Sequence, residues 1–394
     1  MEYKEKTFII RMLNNLISLI KRVDNVPLEV LPEDIFKIGD LYYQVTEDKR
    51  TVEVVRNGDQ KYDILELSIP EYIYYNGHQY TVNGIGKETF YKNSSIKSVK
   101  IPNSIFNIGE KAFYGCESLK SIVIPDSVKS IGDEAFSFCK SLTSITIPSN
   151  VVNIGKEAFV GCESVDSIIV NINNKKYDSR DNCNAILETK SDTLIVGCKS
   201  TIIPNNTKTI GNWAFGGCSN LTSIDIPKSV KHIGENAFWY CQSLTQISIN
   251  KGLQSIGRSS FHNCSSLIDI SLPDSVKYIG SSAFFDCSSL ASIKISNKLK
   301  YIERETFYYC TSLTSIIIPP SVKIIKEHAF CSCESLKMVT ISRRLKCLEI
   351  GVFLNCPDFE FYYDGTSHDW CNIYHKSRLF DRIVHCTDKV IRTY

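Results

Sequence analysis

Apolar and polar positions fall into one pattern that returns every 23 residues. The phrase Ile-Gly-x-x-Ala-Phe-x-x-Cys-x-x-Leu-x-x-Ile-x-Ile-Pro-x-Ser-Val starts at Ile85 and recurs almost to the C-terminus. Its glycines stand at Gly86, Gly109, Gly132 and Gly155, and again at Gly211, Gly234, Gly257 and Gly280. A period of roughly 20–29 residues predicts a solenoid, in which each coil buries its apolar face only against its neighbours. A residue type that recurs once per coil therefore packs, in the first instance, against its own copies.

The coil from Ile108 to Ser130 shows how the pattern reads locally. Ser121-Ile122-Val123-Ile124 predicts a strand, with Ile122 and Ile124 inward and Ser121 and Val123 outward. Strands of successive coils are expected to pair in parallel as one continuous sheet. Pro125 lacks an N–H and ends the ladder. Val128 and Ile131 return inward, Gly109 is assigned to a backbone turn, and Ala112 and Phe113 are expected to open a short helical turn. Gly115, with Gly161, Gly217, Asn263 and Asn355 at the same place, suits a left-handed exit from that turn.

The predicted class is an α/β solenoid rich in β structure. It has a parallel sheet on one face, short helical turns and loops on the other, and a cap at each end. Residues 1–36 lie outside the repeat, and Ile9, Leu13, Leu16, Ile17 and Ile20 mark one face of an amphipathic helix or leader. Arg11, Asn14 and Asn15 interrupt the apolar run, so the segment reads neither as a signal peptide nor as a membrane span. Residues 37–84 predict a β-hairpin cap, with strands at Leu41–Val45 and Val52–Val55. The solenoid is assigned to 85–361, with an expanded coil at 177–209 that holds a hairpin across Lys190-Ser191-Asp192. Residues 362–394 are expected to form the C-terminal cap.

The phrase resembles the BspA-like, or Treponema pallidum type, class of leucine-rich repeats. The resemblance runs from about residue 37 to 394 and takes in the insertion Tyr177-Asp178-Ser179-Arg180-Asp181-Asn182-Cys183-Asn184-Ala185-Ile186. It also covers Tyr363-Asp364-Gly365-Thr366…Trp370 and His385-Cys386-Thr387-Asp388 near the end. It implies a curved, right-handed solenoid of secreted or surface proteins, from bacteria and some protists, linked to adhesion, matrix-protein binding and contact between cells. No export signal or C-terminal sorting tail is visible in the sequence, which leaves a cytoplasmic location open.

Lys and Arg total 45 against 43 Asp and Glu, so a formal charge of +2 gives no field suited to nucleic acid. There is no GKS/T phosphate loop, HExxH or GxSxG, and Gly84-Ile85-Gly86 belongs to the first coil's turn. Neither an enzyme nor a cofactor is implied. Ten of the 16 cysteines occupy one repeat position, from Cys116 to Cys356. Parallel side chains about 4.8 Å apart suit buried thiols better than disulfides. In the C-terminal cap, Cys371, His375, His385 and Cys386 carry zinc-ligand chemistry at an unusual spacing, C-x₃-H-x₉-H-C; no metal site is assigned to them, and a Cys371–Cys386 disulfide is the alternative.

Two surfaces are expected to bind. One is the outward row of the strand face, expected to be concave: Val123, Thr146, Ile169, Asp225, Ser248, Ser271, Lys294 and Ile317. The other is an aromatic cluster of Trp239, Tyr240, Phe285, Tyr308 and Tyr309, whose bland reading is packing between coils. The leading function is a non-enzymatic interaction protein taking a protein or glycan partner, such as extracellular matrix or another cell's surface. An intracellular scaffold and a metal-dependent C-terminal cap are the alternatives.

Overall fold

The structure, a computed structural model, describes residues 35–56, 64–375 and 382–393. The leader expected over residues 1–36 lies almost wholly outside these residues. From Ile85 onward the chain winds as stacked coils, as the period required.

Each coil carries two strands, where one sheet was expected. The Ser-Ile-x-Ile strands pair in parallel and in register, as in Ser144–Ile147 with Ser167–Val170 and Ser223–Ile226 with Gln246–Ile249. This strand face is divided into hydrogen-bonded groups of two to five strands. A second ladder runs through the residue pairs before the glycine: Asn107–Ile108, Ser130–Ile131 and Asn153–Ile154, then Thr209–Ile210, His232–Ile233, Ser255–Ile256 and Tyr278–Ile279.

The expected helical turn at Ala-Phe is absent. Among the described residues the only helical elements are a 3-10 turn at Arg180–Asn182 and an α-helix at Ser367–Cys371. The reason is local backbone geometry. Glu134 (φ 53°) and Phe138 (φ 59°) are left-handed, and their counterparts in other coils share that conformation. Left-handed residues break the helical sequence of hydrogen bonds. They turn the amides along the array instead: Glu134 N–H donates to Lys156 O at 2.8 Å, Phe136 to Ala158 at 2.8 Å and Phe138 to Val160 at 2.7 Å. The exits predicted at Gly115, Gly161, Gly217, Asn263 and Asn355 are all left-handed, with φ from 57° to 73°.

The recurrent glycine before this turn excludes a Cβ, as expected, but for a different reason. A Cβ on Gly132 would lie 2.5 Å from the Glu110 nitrogen, and one on Gly109 would lie 2.7 Å from the Gly86 carbonyl carbon. Close approach of successive backbones, rather than a turn conformation, excludes a side chain there.

Inside the coils two ladders run along the array on either side of the expanded coil. Phenylalanine rings stack from Phe90 to Phe159 at 5.1–5.4 Å and from Phe215 to Phe353 at 5.0–5.5 Å. Beside them the ladder thiols donate to the phenylalanine carbonyl of the preceding coil, as in Cys139 Sγ to Phe113 O at 3.2 Å and Cys264 Sγ to Phe238 O at 3.2 Å, except Cys218, whose Sγ reaches Gly197 O at 3.6 Å. The ladder cysteines are free. Burial pushes the Cys116 and Cys162 thiols up to about 12.

The expanded coil interrupts both ladders. Ala185–Glu188 and Thr193–Gly197 form the expected antiparallel hairpin, and Thr193–Gly197 then pairs in parallel with Thr209–Ile210. The buried core accordingly falls into two clusters that meet at this coil. At the N-terminal end, Ile35–Ile38, Leu41–Val45 and Thr51–Val55 form an antiparallel cap. Thr51–Val55 passes pairing on to His78–Ile85 in parallel. At the other end the strand face continues beyond residue 361. Glu360–Tyr363 and Ile383–His385 extend it in parallel, and Val390–Arg392 closes it in the antiparallel sense.

Candidate binding surface

Alternation along each short strand decides which side chains reach solvent. Ile145, Ile168 and Ile224 are buried, while their neighbours Thr146, Ile169 and Asp225 are exposed. Val123, Ser248, Ser271, Lys294 and Ile317 are exposed as well, so all eight expected positions lie on the open face. They stand in register: Val123 follows Lys100, Thr146 faces Ile169, Asp225 faces Ser248, Ser271 faces Lys294, and Ile317 faces Thr340. A partner lying along the array therefore meets one outward side chain per coil, at a spacing of about 4.8 Å.

The face varies along its length. Val123 (76% exposed), Ile169 (54%) and Ile317 (66%) are apolar and open to solvent. Between Ser223 and Lys298 the surface turns polar. A trough of about 1110 Å³ there is lined by Asp225, Asp269 and Asp274 together with Lys251, Lys294 and Lys298. Small serines at Ser223, Ser248 and Ser271 keep its floor low. Carboxylates and ammonium groups side by side suit hydrogen bonding to a polar, weakly charged ligand.

Two parts of this row escaped the sequence reading. Ile202, 76% exposed, sits at the outward position of the expanded coil, where the longer period hid the count. Tyr362 and His385 carry the row into the C-terminal cap, paired with Thr340 and with each other. Their rings stack at 4.6 Å, and His385 Nε2 lies 2.8 Å from Glu360 Oε2. The alternation in Glu360-Phe361-Tyr362-Tyr363 was the available signal.

The aromatic cluster is both packed and partly open. Trp239 meets Trp213 and Tyr240, with ring centroids 5.4 and 4.3 Å apart. Phe285 stacks between His262 at 4.5 Å and Tyr308 at 4.9 Å, and Tyr309 meets Tyr308 edge-on at 4.7 Å. Only Tyr240 (39%) and Tyr309 (42%) remain exposed among the five. Burial holds the His262 imidazole below the usual histidine range.

Among the described residues no group of three or more His, Cys, Asp or Glu is arranged to hold a metal ion. His385 is engaged by Glu360, while Cys371 and Cys386 are free thiols, the first exposed and the second half-buried. The side chain of His375 lies outside the described set.

No described helix is long and apolar enough to cross a membrane. A comparison with curated proteins gives no match. Among solved structures, the chain is similar to a leucine rich cell surface protein from Faecalibacterium prausnitzii, at 27% identity and a TM-score of 0.58 over 86% of this chain and 97% of that one. A leucine-rich repeat protein from Eubacterium ventriosum shares the fold at 19% identity and a TM-score of 0.55, over 86% and 93% of the two chains. The family model for the BspA type leucine rich repeat region matches six copies, at residues 79–189, 195–311 and 255–364. Such repeat proteins are typically non-enzymatic and serve in protein interaction. With its phrase, its stacked coils and the family model in agreement, the chain belongs to the BspA-type leucine-rich-repeat family.

Proposed function

We propose that this protein is a non-enzymatic, adhesin-like interaction module that takes a protein or glycan partner along the strand face. The observation that carries the reading is the in-register outward row, where apolar Val123, Ile169 and Ile317 flank a trough of small polar and mixed-charge side chains. The apolar residues would anchor a partner and the trough would orient it, as interfaces concentrate affinity in a few desolvated contacts. The similarity to a bacterial cell surface protein supports an extracellular partner, such as a matrix protein or a glycan of another cell. The test is binding to immobilised matrix proteins and glycan arrays by the full chain and by the Ile169→Asp/Ile317→Asp double variant. Loss of about tenfold or more in affinity is expected, since each change places a charge in a desolvated contact. Unchanged affinity for a partner that the full chain binds would remove the strand face from the account.

A second reading, an intracellular scaffold using the same face, draws on the free ladder thiols. Reducing compartments keep such thiols unpaired. Fractionation of the source cells separates the two readings, because recovery outside the cell would leave the scaffold without support.

A further inference from the structure

Where the coil from Ile154 meets the coil from Ile210, the turn layer lacks an intervening copy. In the preceding coil, the amides of Glu134, Phe136 and Phe138 all donate to the next coil. One coil later only the third amide does so, Gly161 N–H to Gly216 O at 2.9 Å. The amides of Glu157 and Phe159 have no partner among the described residues. On the opposite wall, Ala214 O is taken by Gly197 N–H at 2.7 Å, and Asn212 O accepts nothing among the described residues.

These groups border a cleft of about 190 Å³ walled by Phe159, Val160, Ala158, Trp213 and Gly197. The expanded coil, 177–209, contains no phenylalanine, so the ring stack skips one place here. Phe159 and Cys162 are 6% and 7% exposed, where Phe136 and Cys139 one coil earlier are sealed at 0%. An apolar cavity of about 150 Å³ is large enough for benzene.

We propose that this cleft is a binding site for a neutral, single-ring aromatic carboxamide. The ring fills the place of the missing phenylalanine. Its carbonyl oxygen accepts from the amides of Glu157 and Phe159, which in every regular coil point along the array. Its N–H donates to Asn212 O. The charges around the cleft are mixed, with Glu157, Glu134 and Asp133 only partly offset by Lys156 and Lys111, and Asn212 O calls for a donor, so a neutral carboxamide is favoured over an anion. The site lies in the turn layer and owes nothing to the strand-face partner.

The test titrates the full chain with benzamide and, separately, with benzoate. Amide nitrogen–proton spectra and Trp213 fluorescence are the readouts. Saturable downfield shifts of the Glu157 and Phe159 amides are expected with benzamide, and binding about tenfold weaker with benzoate, which carries a charge and no donor for Asn212. Ala158→Leu fills the cleft and should abolish the benzamide response while circular dichroism stays unchanged. The proposal is overturned if benzamide leaves both amides unmoved in the wild-type chain, or if benzoate binds as well as benzamide. The wild-type spectra decide the matter even if the filled variant fails to fold.

Discussion

A regular coil and the expanded coil satisfy the same backbone by opposite means. In the coil from Ile108, amides and carbonyls are met by the coils before and after, and side-chain identity is constrained only where bulk matters. In the coil over 177–209 the copy is missing, and side chains take over the ladder's work. Tyr177 hydroxyl accepts from Ile154 N–H at 3.1 Å, Ser179 Oγ accepts from Val170 N–H at 3.0 Å, and Asn184 Oδ1 accepts from Ile168 N–H at 3.3 Å. Arg180 then ties the loop together, 2.6 Å from Asp178 and 2.8 Å from Asp192, with Lys208 2.9 Å from Asp192. Repetition makes individual polar residues dispensable; interruption makes them specific.

The contrast can be broken by mutation, and the largest effect belongs to the regular coils. Gly132→Val places carbon against the Glu110 backbone, which no rotamer change relieves. We expect a loss of about 4 kcal/mol or more, or failure to fold, in urea titration followed by circular dichroism. Lys190→Val, at the exposed hairpin tip of the expanded coil, should stay within about 0.5 kcal/mol. Next come the rings. Phe261→Ala removes a ring stacked on both sides, at 5.2 Å each, and should cost about 3–5 kcal/mol. Phe159→Ala should cost less, about 2–3 kcal/mol, because it stacks on Phe136 alone and borders the cleft. Equal losses would mean the ring stack is not interrupted.

A smaller effect is reserved for the expanded coil. Tyr177→Phe strips the acceptor from Ile154 N–H and should cost about 1–2 kcal/mol in the same titration. The acid limb gives the smallest signal. Burial would push Asp178 up, yet hydrogen bonds from Arg180 and Thr189 outweigh it and hold the carboxyl below its ordinary range. Hydrogen bonds from Lys208 and Arg180 lower Asp192 likewise. Carboxyls depressed in the folded state add stability at pH above their unfolded value, about 3.9, and lose it as pH falls through the folded values. Arg180→Gln should therefore flatten the fall in stability below about pH 4 and change it little at lower pH still. An acid limb identical in the variant would take this network out of the account.

How much of this was legible in the sequence follows from the same physics. The period, the strand alternation and the outward row were readable because each depends on residue type at fixed spacing. The left-handed exit was readable at Gly115 and Asn263, since glycine and asparagine advertise it. The second left-handed position was not, because Lys111, Glu134, Trp213 and Ser259 fill it, and hydrogen bonds between coils supply what glycine usually does. For the same reason Ala112-Phe113 looked helical in isolation. The second ladder at Asn107–Ile108 and its copies is only two residues deep per coil, too short for alternation to reveal. Exposure of Val123 and Ile317 followed from period alone, whereas Ile202 was hidden by the longer coil. The cleft could not be foreseen, since it arises from what a coil omits.

Hydrogen exchange at the turn-layer amides tests the central claim most directly, namely that stacked coils satisfy one another and that the stacking is interrupted once. The account predicts that the amides of Phe136 and Phe261, each donating to the next coil at 2.8 Å, exchange only on global unfolding. Glu157 and Phe159, with no such acceptor, should exchange at least about a hundredfold faster under the same conditions. Protection at Glu157 and Phe159 equal to that at Phe136 would contradict it, because the ladder would then run unbroken through the expanded coil.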